Sequence, residues 1–407
     1  MIINEGVLEL NLITSTAVGI FLLLLGMWLN KKVDIFKKYC IPSPVIGGFS
    51  FAVIVWLLRE FDVVQLKTDT TIGDLLMFVF FVTIGLAGSL SLIKKGGKVL
   101  FFYILVCWGL AIFQNGFGVA LASLLGIDPL LGIASGSAAL EGGHGMAAAM
   151  APSIEAAGGT GALTVGLAAA TYGLVAGSLI GGPLGNWLIK KNKLKIETDD
   201  NWARSVDEPE KQNQVASINY KNVLTIVAVI LLVLAFGTNV AKWLTYVTGF
   251  TIPGHVFSLF VGLLFASFNN KKNIVHIDSK ILDVFSMVAL ELFLTMAMMN
   301  LKIWELYDLA VPLLIILLAQ TIAIIFIAWL IIFKVTGKNY DAALLAAGFI
   351  GHGLGATANA LAVMDAITKK YGVVSKKAFF IIPVSGSMLV DIVGVPSIVI
   401  FTNFFAH

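Results

Sequence analysis

Ser135-Gly136-Ser137-Ala138-Ala139-Leu140-Glu141-Gly142-Gly143-His144-Gly145-Met146 is too interrupted by glycine for a spanning helix and too apolar for a solvated loop. A stretch of the same character follows about 210 residues later: Gly348-Phe349-Ile350-Gly351-His352-Gly353-Leu354-Gly355-Ala356-Thr357-Ala358-Asn359. The two lie inside Gly/Ala-rich segments at 129–158 and 339–369. Non-helical backbone at membrane depth is tolerated where protein buries it or where it lines a wet cavity. Two re-entrant hairpins fit both segments.

The rest of the chain supplies the membrane. Hydrophobic residues make up 58% of the 407 residues and charged residues 13%, and the mean hydropathy is +0.93. A soluble chain of this size could not keep so many apolar side chains off its surface. Apolar length places ten spans at 8–30, 43–59, 70–93, 98–125, 162–189, 221–247, 253–269, 281–303, 309–335 and 377–403. Residues 1–11 have no basic region or cleavage site before a short apolar run, so no removable signal peptide is expected. Cys40 and Cys107 are far apart without metal-ligand spacing and read as free thiols. Nothing in the sequence points to nucleic acid.

The placement of the basic residues tests the count of spans. With both termini outside, the inner loops hold 23 of the 27 lysines and arginines, and only Arg59, Lys67, Lys242 and Lys302 fall outside. That asymmetry is the one membrane insertion imposes. Lys190–Asn219, with Glu197, Asp199, Asp200, Asp207 and Glu208, reads as a solvated cytoplasmic linker.

The halves flanking that linker resemble each other. Ile41-Pro42-Ser43-Pro44-Val45 matches Ile252-Pro253-Gly254-His255-Val256, and Phe81-Val82-Thr83 matches Phe293-Leu294-Thr295. Gly143-His144-Gly145 matches Gly353-Leu354-Gly355, Glu155 matches Asp365, and Gly182-Pro183 matches Val395-Pro396. Five spans per half is odd, so the second half is upside down. The expected fold is an all-α polytopic membrane protein with ten transmembrane helices and two re-entrant hairpins. Its two inverted five-span repeats are residues 1–189, with hairpin 129–158, and 221–407, with hairpin 339–369; residues 190–220 form the linker.

Inverted repeats with broken segments at matching places point to a secondary transporter with a midplane site, and a channel is the alternative. A half-helix N-terminus can hold a carboxylate, and unwound carbonyls can coordinate sodium. The candidate substrate-binding residues are therefore Ser137, Glu141, Gly142, Gly143, His144, Gly145, Met146, Gly353, Gly355, Ala356, Thr357 and Asn359. Polar groups within the spans are Thr83, Gln114, Asn115, Glu291, Asn300, Gln320, Ser385, Ser387 and Asp391. Such groups are costly to desolvate and so are candidates for function; Asp391, Asn300, Glu291, Thr83 and Ser385 are the sodium candidates. Gln114-Asn115 either orients the first hairpin or serves as polar packing between helices. His144 and His352 read as packed tip histidines, with proton relay as the alternative. An enzyme is not expected, since neither H-E-x-x-H nor G-x-S-x-G occurs.

These motifs and their order resemble the bacterial sodium/glutamate symporter family over nearly the whole chain. The resemblance is carried by Tyr39–Gly48, Thr83-Ile84-Gly85-Leu86, Gln114-Asn115, Gly143-His144-Gly145, Gly337-Lys338-Asn339-Tyr340-Asp341-Ala342-Ala343 and Gly353-Leu354-Gly355-Ala356-Thr357. It implies sodium-driven uptake of glutamate, a small anionic amino acid, with sodium co-transported across the cell (inner) membrane. It also implies a homodimer whose transport domains move by an elevator-like motion. The sequence departs from the family pattern at Glu141, where a small hydroxyl residue is expected, at Met146 in place of threonine, and at Glu291 in place of serine. Extra carboxylates near an acidic substrate repel it unless sodium or a proton neutralises them. The alternatives are a proton- or sodium-coupled transporter of a different solute, or a channel.

Overall fold

The computed structural model describes residues 2–4, 7–39, 41–88, 91–197 and 219–406. Cys40, linker residues 198–218 and the side chain of Ser387 lie outside the described residues. Two strands open the chain, β1 (Ile2–Asn4) and β2 (Val7–Leu10), and β2 runs parallel to β3 (Gln65–Thr68), with Val7 opposite Gln65 and Leu10 opposite Thr68. This small sheet corrects the all-α expectation. It also corrects the first span, which begins at Leu12 and not at residue 8. The reason is local: the Asn11 Oδ1 accepts from the Thr14 N–H at 2.9 Å and fixes the helix start there.

From that cap the chain runs through α1 (Leu12–Lys32), α2 (Asp34–Lys38), α3 (Ser43–Glu60) and α4 (Thr71–Ala87). The third span, expected over 70–93, stops at Ala87, and α5 (Ser91–Leu124) is kinked at Gly97, where φ is 61° and ψ is −157°. The first glycine-rich segment forms α6 (Pro129–Ala134), α7 (Ser137–Leu140) and α8 (Gly143–Ala156), followed by α9 (Ala162–Lys191). After the linker come α10 (Tyr220–Thr248), α11 (Gly254–Lys272) and α12 (Ser279–Met299). Next, α13 (Ala310–Ile327) passes through a π-turn, Ala328–Ile332, into α14 (Phe333–Val335). The second glycine-rich segment forms α15 (Tyr340–Gly355) and α16 (Thr357–Tyr371). What reads in sequence as one tenth span is split into α17 (Lys376–Val384), a π-turn at Ser385–Leu389 and α18 (Asp391–Phe404).

Among the described residues, seven helices are long and apolar enough to cross a membrane: Leu12–Lys32, Ser43–Glu60, Gly97–Leu124, Ala162–Lys191, Tyr220–Thr248, Ser279–Met299 and Ala310–Val335. Their outward faces carry large apolar side chains such as Phe21, Leu24, Leu232, Phe236 and Leu314, as a lipid-facing surface requires. The chain is a polytopic membrane protein.

The helices sort into two compact units, and each draws on both halves of the sequence. One comprises Met1–Ser89 and Ala216–Leu309, the other Leu90–Val215 and Ala310–His407. In the first unit, α4 packs on α11 and α12, and α1 on α3. Its core gathers Val82 and Leu86 of α4, Ile226 to Val233 of α10, and Ile281 and Leu282 of α12. Helices α3 and α11 both start directly after a proline in the same extended conformation, Pro42 at φ −64°, ψ 142° and Pro253 at φ −62°, ψ 134°. These are the two prolines that the internal sequence match aligns. In the second unit, α9 lies along α8, α15 and α16, while α5 packs on α6 and α18.

Candidate functional site

Three of the interruptions of helix in the second unit carry the predicted site residues. In the first, Ser135 and Gly136 separate α6 from α7, and Glu141 and Gly142 separate α7 from α8, with Gly143 at φ 64°. In the second, Ala356 alone separates α15 from α16. The third is the π-turn Ser385–Leu389. All three adjoin. A Cβ placed on Gly143 would stand 3.5 Å from the Ala356 Cβ and 3.7 Å from the Gly355 carbonyl oxygen. A Cβ on Gly386 would run into the Thr357 Oγ1 and lie 2.8 Å from the His352 ring. So the tips of the two glycine-rich segments face each other, and the broken last span closes on the second of them.

Two neighbouring amides of α5 hold the first two interruptions in place. The Asn115 Oδ1 accepts from both the N–H and the hydroxyl of Ser137, each at 3.0 Å, and its Nδ2 donates to Ser397 of α18 at 3.0 Å. The Gln114 Nε2 donates to the Gly353 carbonyl at 2.9 Å, and the Gln114 carbonyl accepts from the Gln320 Nε2 at 3.0 Å. Gln114-Asn115 thus satisfies backbone groups that an interrupted helix leaves open. Trp108, earlier on the same helix, donates its indole N–H to the Leu389 carbonyl at 2.7 Å and anchors the third break.

The sequence-predicted substrate residues cluster here, but they do different work. Ser137 is committed to Asn115. Asn359 is a strut: its Oδ1 accepts from Ser178 at 2.6 Å and its Nδ2 donates to the Leu174 carbonyl at 3.2 Å, tying α16 to α9. The His144 Nε2 lies 2.9 Å from the Thr171 hydroxyl. Because that hydroxyl already donates to the Leu167 carbonyl, the histidine is the donor. Glu141 and His352 are buried, and neither the two carboxylate oxygens nor the two ring nitrogens have a hydrogen-bond partner among the described residues. Gly142, Gly145 and Met146 line the first tip, and Gly355 and Thr357 the second.

Ala356 sits at φ 103°, ψ 167°, a region only glycine occupies without strain, at a cost of about 1–3 kcal/mol. Ala356→Gly is therefore expected to raise the melting temperature of the detergent-purified protein by the equivalent of about 1 kcal/mol, after the entropy glycine adds to the unfolded chain. A lower melting temperature would mean that the surrounding packing has removed the strain.

The sodium candidates divide between the units. Asp391 opens α18 directly behind the π-turn, and Ser385 within the turn donates to the Ile381 and Ile382 carbonyls at 2.8 and 3.0 Å. Thr83, Glu291 and Asn300 belong to the first unit. The Thr83 hydroxyl donates to the Phe80 carbonyl at 2.7 Å, and Asn300 accepts from Thr68 at 2.7 Å and donates to the Met296 carbonyl at 2.9 Å. Asn300 lines a cavity of about 660 Å³ between β3, α3 and the end of α12, with Arg59, Lys67 and Trp304. The structure does not bring these three together with the hairpin tips in one unit.

Thr171, Ser178, Trp108 and Tyr103 also belong to this region, and the sequence does not single them out. Each is polar at one atom only and sits in an apolar or small-residue run, so nothing local distinguishes it from packing. The Tyr103 ring is fully buried edge-on to Phe349 at 5.9 Å, and it shares the electrostatic neighbourhood of Glu141 with Cys107.

Three helix interruptions converging in one unit of a polytopic membrane protein define a secondary-transporter type of site. The family model described as sodium/glutamate symporter matches residues 8–373, and the chain belongs to that family. It is 39% identical over 388 residues to the sodium/glutamate symporter of Escherichia coli (strain K12), covering 95% of this chain and 96% of the relative. The Shigella flexneri protein of the same name is similar to the same degree. The Haemophilus influenzae sodium/glutamate symporter is 34% identical over 381 residues, 93% of this chain and 94% of its own length. The family is one of transporters, not enzymes.

Proposed function

We propose that the protein is a symporter that imports glutamate together with sodium, and that the two glycine-rich tips and the broken last span form the site for both. The observation that carries this reading is the meeting of Gly143 with Ala356, and of Gly386 with Thr357 and His352, in one unit of a chain belonging to the sodium/glutamate symporter family. Interrupted helices present free N–H groups to a carboxylate and free carbonyls to sodium. Among the tip residues, Thr357, His352 and Gly142 to Met146 are the substrate contacts; Asp391 and Ser385 are the sodium ligands. Asn359 and Ser137 position them through their bonds to Ser178, Leu174 and Asn115. Sodium bound first offsets the repulsion between resident carboxylates and the anionic substrate, and the coupling is reciprocal, so glutamate in turn tightens sodium.

The chain in this reading crosses the membrane ten times with two re-entrant hairpins in inverted repeats, both ends outside and the linker inside. It works as a homodimer in which the unit bearing the three interruptions moves as a body. Three further segments, Thr71–Ala87, Gly254–Lys272 and the α17–α18 segment, bring the seven long apolar helices to ten. The distribution of basic residues supports the orientation.

The test is flux. Purified protein in proteoliposomes is expected to accumulate radiolabelled L-glutamate against its gradient when sodium is high outside, and to stop when sodium is equal on both sides. Uptake indifferent to sodium, or passive ion conductance without accumulation, would sink the reading.

A further inference from the structure

Glu141 is 6% exposed, and neither of its oxygens has a hydrogen-bond partner among the described residues. It closes α7, which packs against α5, α6, α8, α9, α15 and α18. Three ionisable groups stand within electrostatic reach of it: Asp391 from α18, and Tyr103 and Cys107 from α5. The other ionisable groups in mid-helix or at the breaks of those elements are His144 of α8, His352 of α15 and Tyr172 of α9. His144 is bonded to Thr171, and the Tyr172 hydroxyl to that of Thr321 at 3.1 Å. Glu155, Asp341 and Tyr340, and the lysines of α5 and α9, stand toward the ends of their helices. None of those lysines pairs with Glu141 among the described residues.

An ionised carboxylate this deep, with no hydrogen-bond donor, is far less stable than a neutralised one. Something must neutralise it. Hard cations take shells of several oxygens, whereas the Glu141 carboxylate itself offers two. A proton needs a single oxygen, and chains of intramembrane acidic groups serve as proton relays in transporters.

We propose that Glu141 is a proton-carrying site, so that each transport cycle moves a proton inward with sodium and glutamate. The proton binds a Glu141 oxygen while the site faces outward and leaves it when the site faces inward, adding one positive charge to the charge moved per cycle. This rests on the transport reading above. The experiment loads proteoliposomes with a trapped pH-sensitive dye, clamps the voltage, imposes an inward sodium gradient and records internal pH and labelled glutamate together. Wild type is expected to acidify the interior in step with glutamate entry, and Glu141→Gln to lose the acidification relative to the glutamate it moves. Glutamate accumulation without acidification in wild type, or an unchanged proton-to-glutamate ratio in E141Q, would overturn the proton site alone. No glutamate accumulation in wild type would overturn the transport reading and this inference with it. If E141Q is inactive, wild type at fixed sodium decides: influx must fall as the external medium is made more alkaline, and a flat profile overturns the proposal.

Discussion

Gly173→Ala is expected to abolish most glutamate uptake and to lower the melting temperature, while Gly182→Ala on the same helix leaves uptake close to wild type and the melting temperature unchanged or slightly raised. Gly173 is where α9 meets the second glycine-rich segment backbone to backbone. A Cβ there would penetrate the Leu354 carbonyl oxygen, stand 2.9 Å from the Leu354 carbonyl carbon, and press on Leu140 at 3.2 Å. Leu354 lies two residues before the Ala356 break and Leu140 one residue before Glu141. One methyl thus pushes on both tips at once, and the nearest obstacle is backbone, not the far end of a flexible side chain. Overpacking of a close-packed interior costs about 1–3 kcal/mol even where side chains can yield, and here backbone must move. Gly182 has nothing within 4 Å of its added Cβ, and in a helix alanine is favoured over glycine by about 1 kcal/mol. The pair separates a specific contact from the general effect of a methyl. Initial uptake rates and melting curves on both variants check it, and a G173A protein with wild-type rate and melting temperature would show that the tips do not depend on this seat.

The positions of the two glycine-rich breaks are legible in the sequence because repeated glycine in an apolar run weakens the helix and lets backbones approach closely. The ends of most long helices are legible from hydropathy and from the prolines at 42 and 253. What stays hidden depends on faces and on distant partners. Strands of three and four residues, the second with its partner at Gln65–Thr68, carry no periodicity long enough to read, so Leu8–Leu10 reads as the start of a helix. The π-turn at Ser385–Leu389 leaves no compositional trace, since a short Ser/Gly-containing run also occurs within unbroken helices such as α9. The grouping of segments from both halves into each unit follows from which helix faces pack, and a hydropathy count does not see faces. The same blindness explains the sodium candidates: Thr83 and Asn300 are polar residues in apolar helices, but their side chains bond to Phe80, Thr68 and Met296 in the first unit. Asn359 stands beside the second tip, yet its amide is engaged with α9.

Replacing Asn115 by leucine is expected to cost more stability than any single substitution of a tip hydroxyl, and to reduce uptake severely. The side chains have the same branched shape, so the effect isolates the amide. Its Oδ1 alone satisfies both donors of Ser137, and its Nδ2 reaches Ser397 on the last helix. Ser137 is buried, so water does not readily replace the lost acceptor. Each buried donor left unpaired costs about 1–3 kcal/mol, and two are stranded together at the break that leads to Glu141. The expected loss is therefore about 3–5 kcal/mol, enough to let α7 shift and to blur the geometry on which the first tip depends. Ser397→Ala removes only the third bond. Ser397 already donates to the Gly394 carbonyl at 2.7 Å, and its loss leaves one amide N–H unpaired and the break itself intact, so it should cost about 1–2 kcal/mol and spare most of the uptake. Melting curves and initial rates on N115L, S397A and the double variant give a cycle. If S397A alone reproduced the N115L phenotype, the amide would act through the last helix and not through the break. If N115L transported normally, the first tip would hold its shape without α5, and the assignment of Asn115 as its anchor would fail.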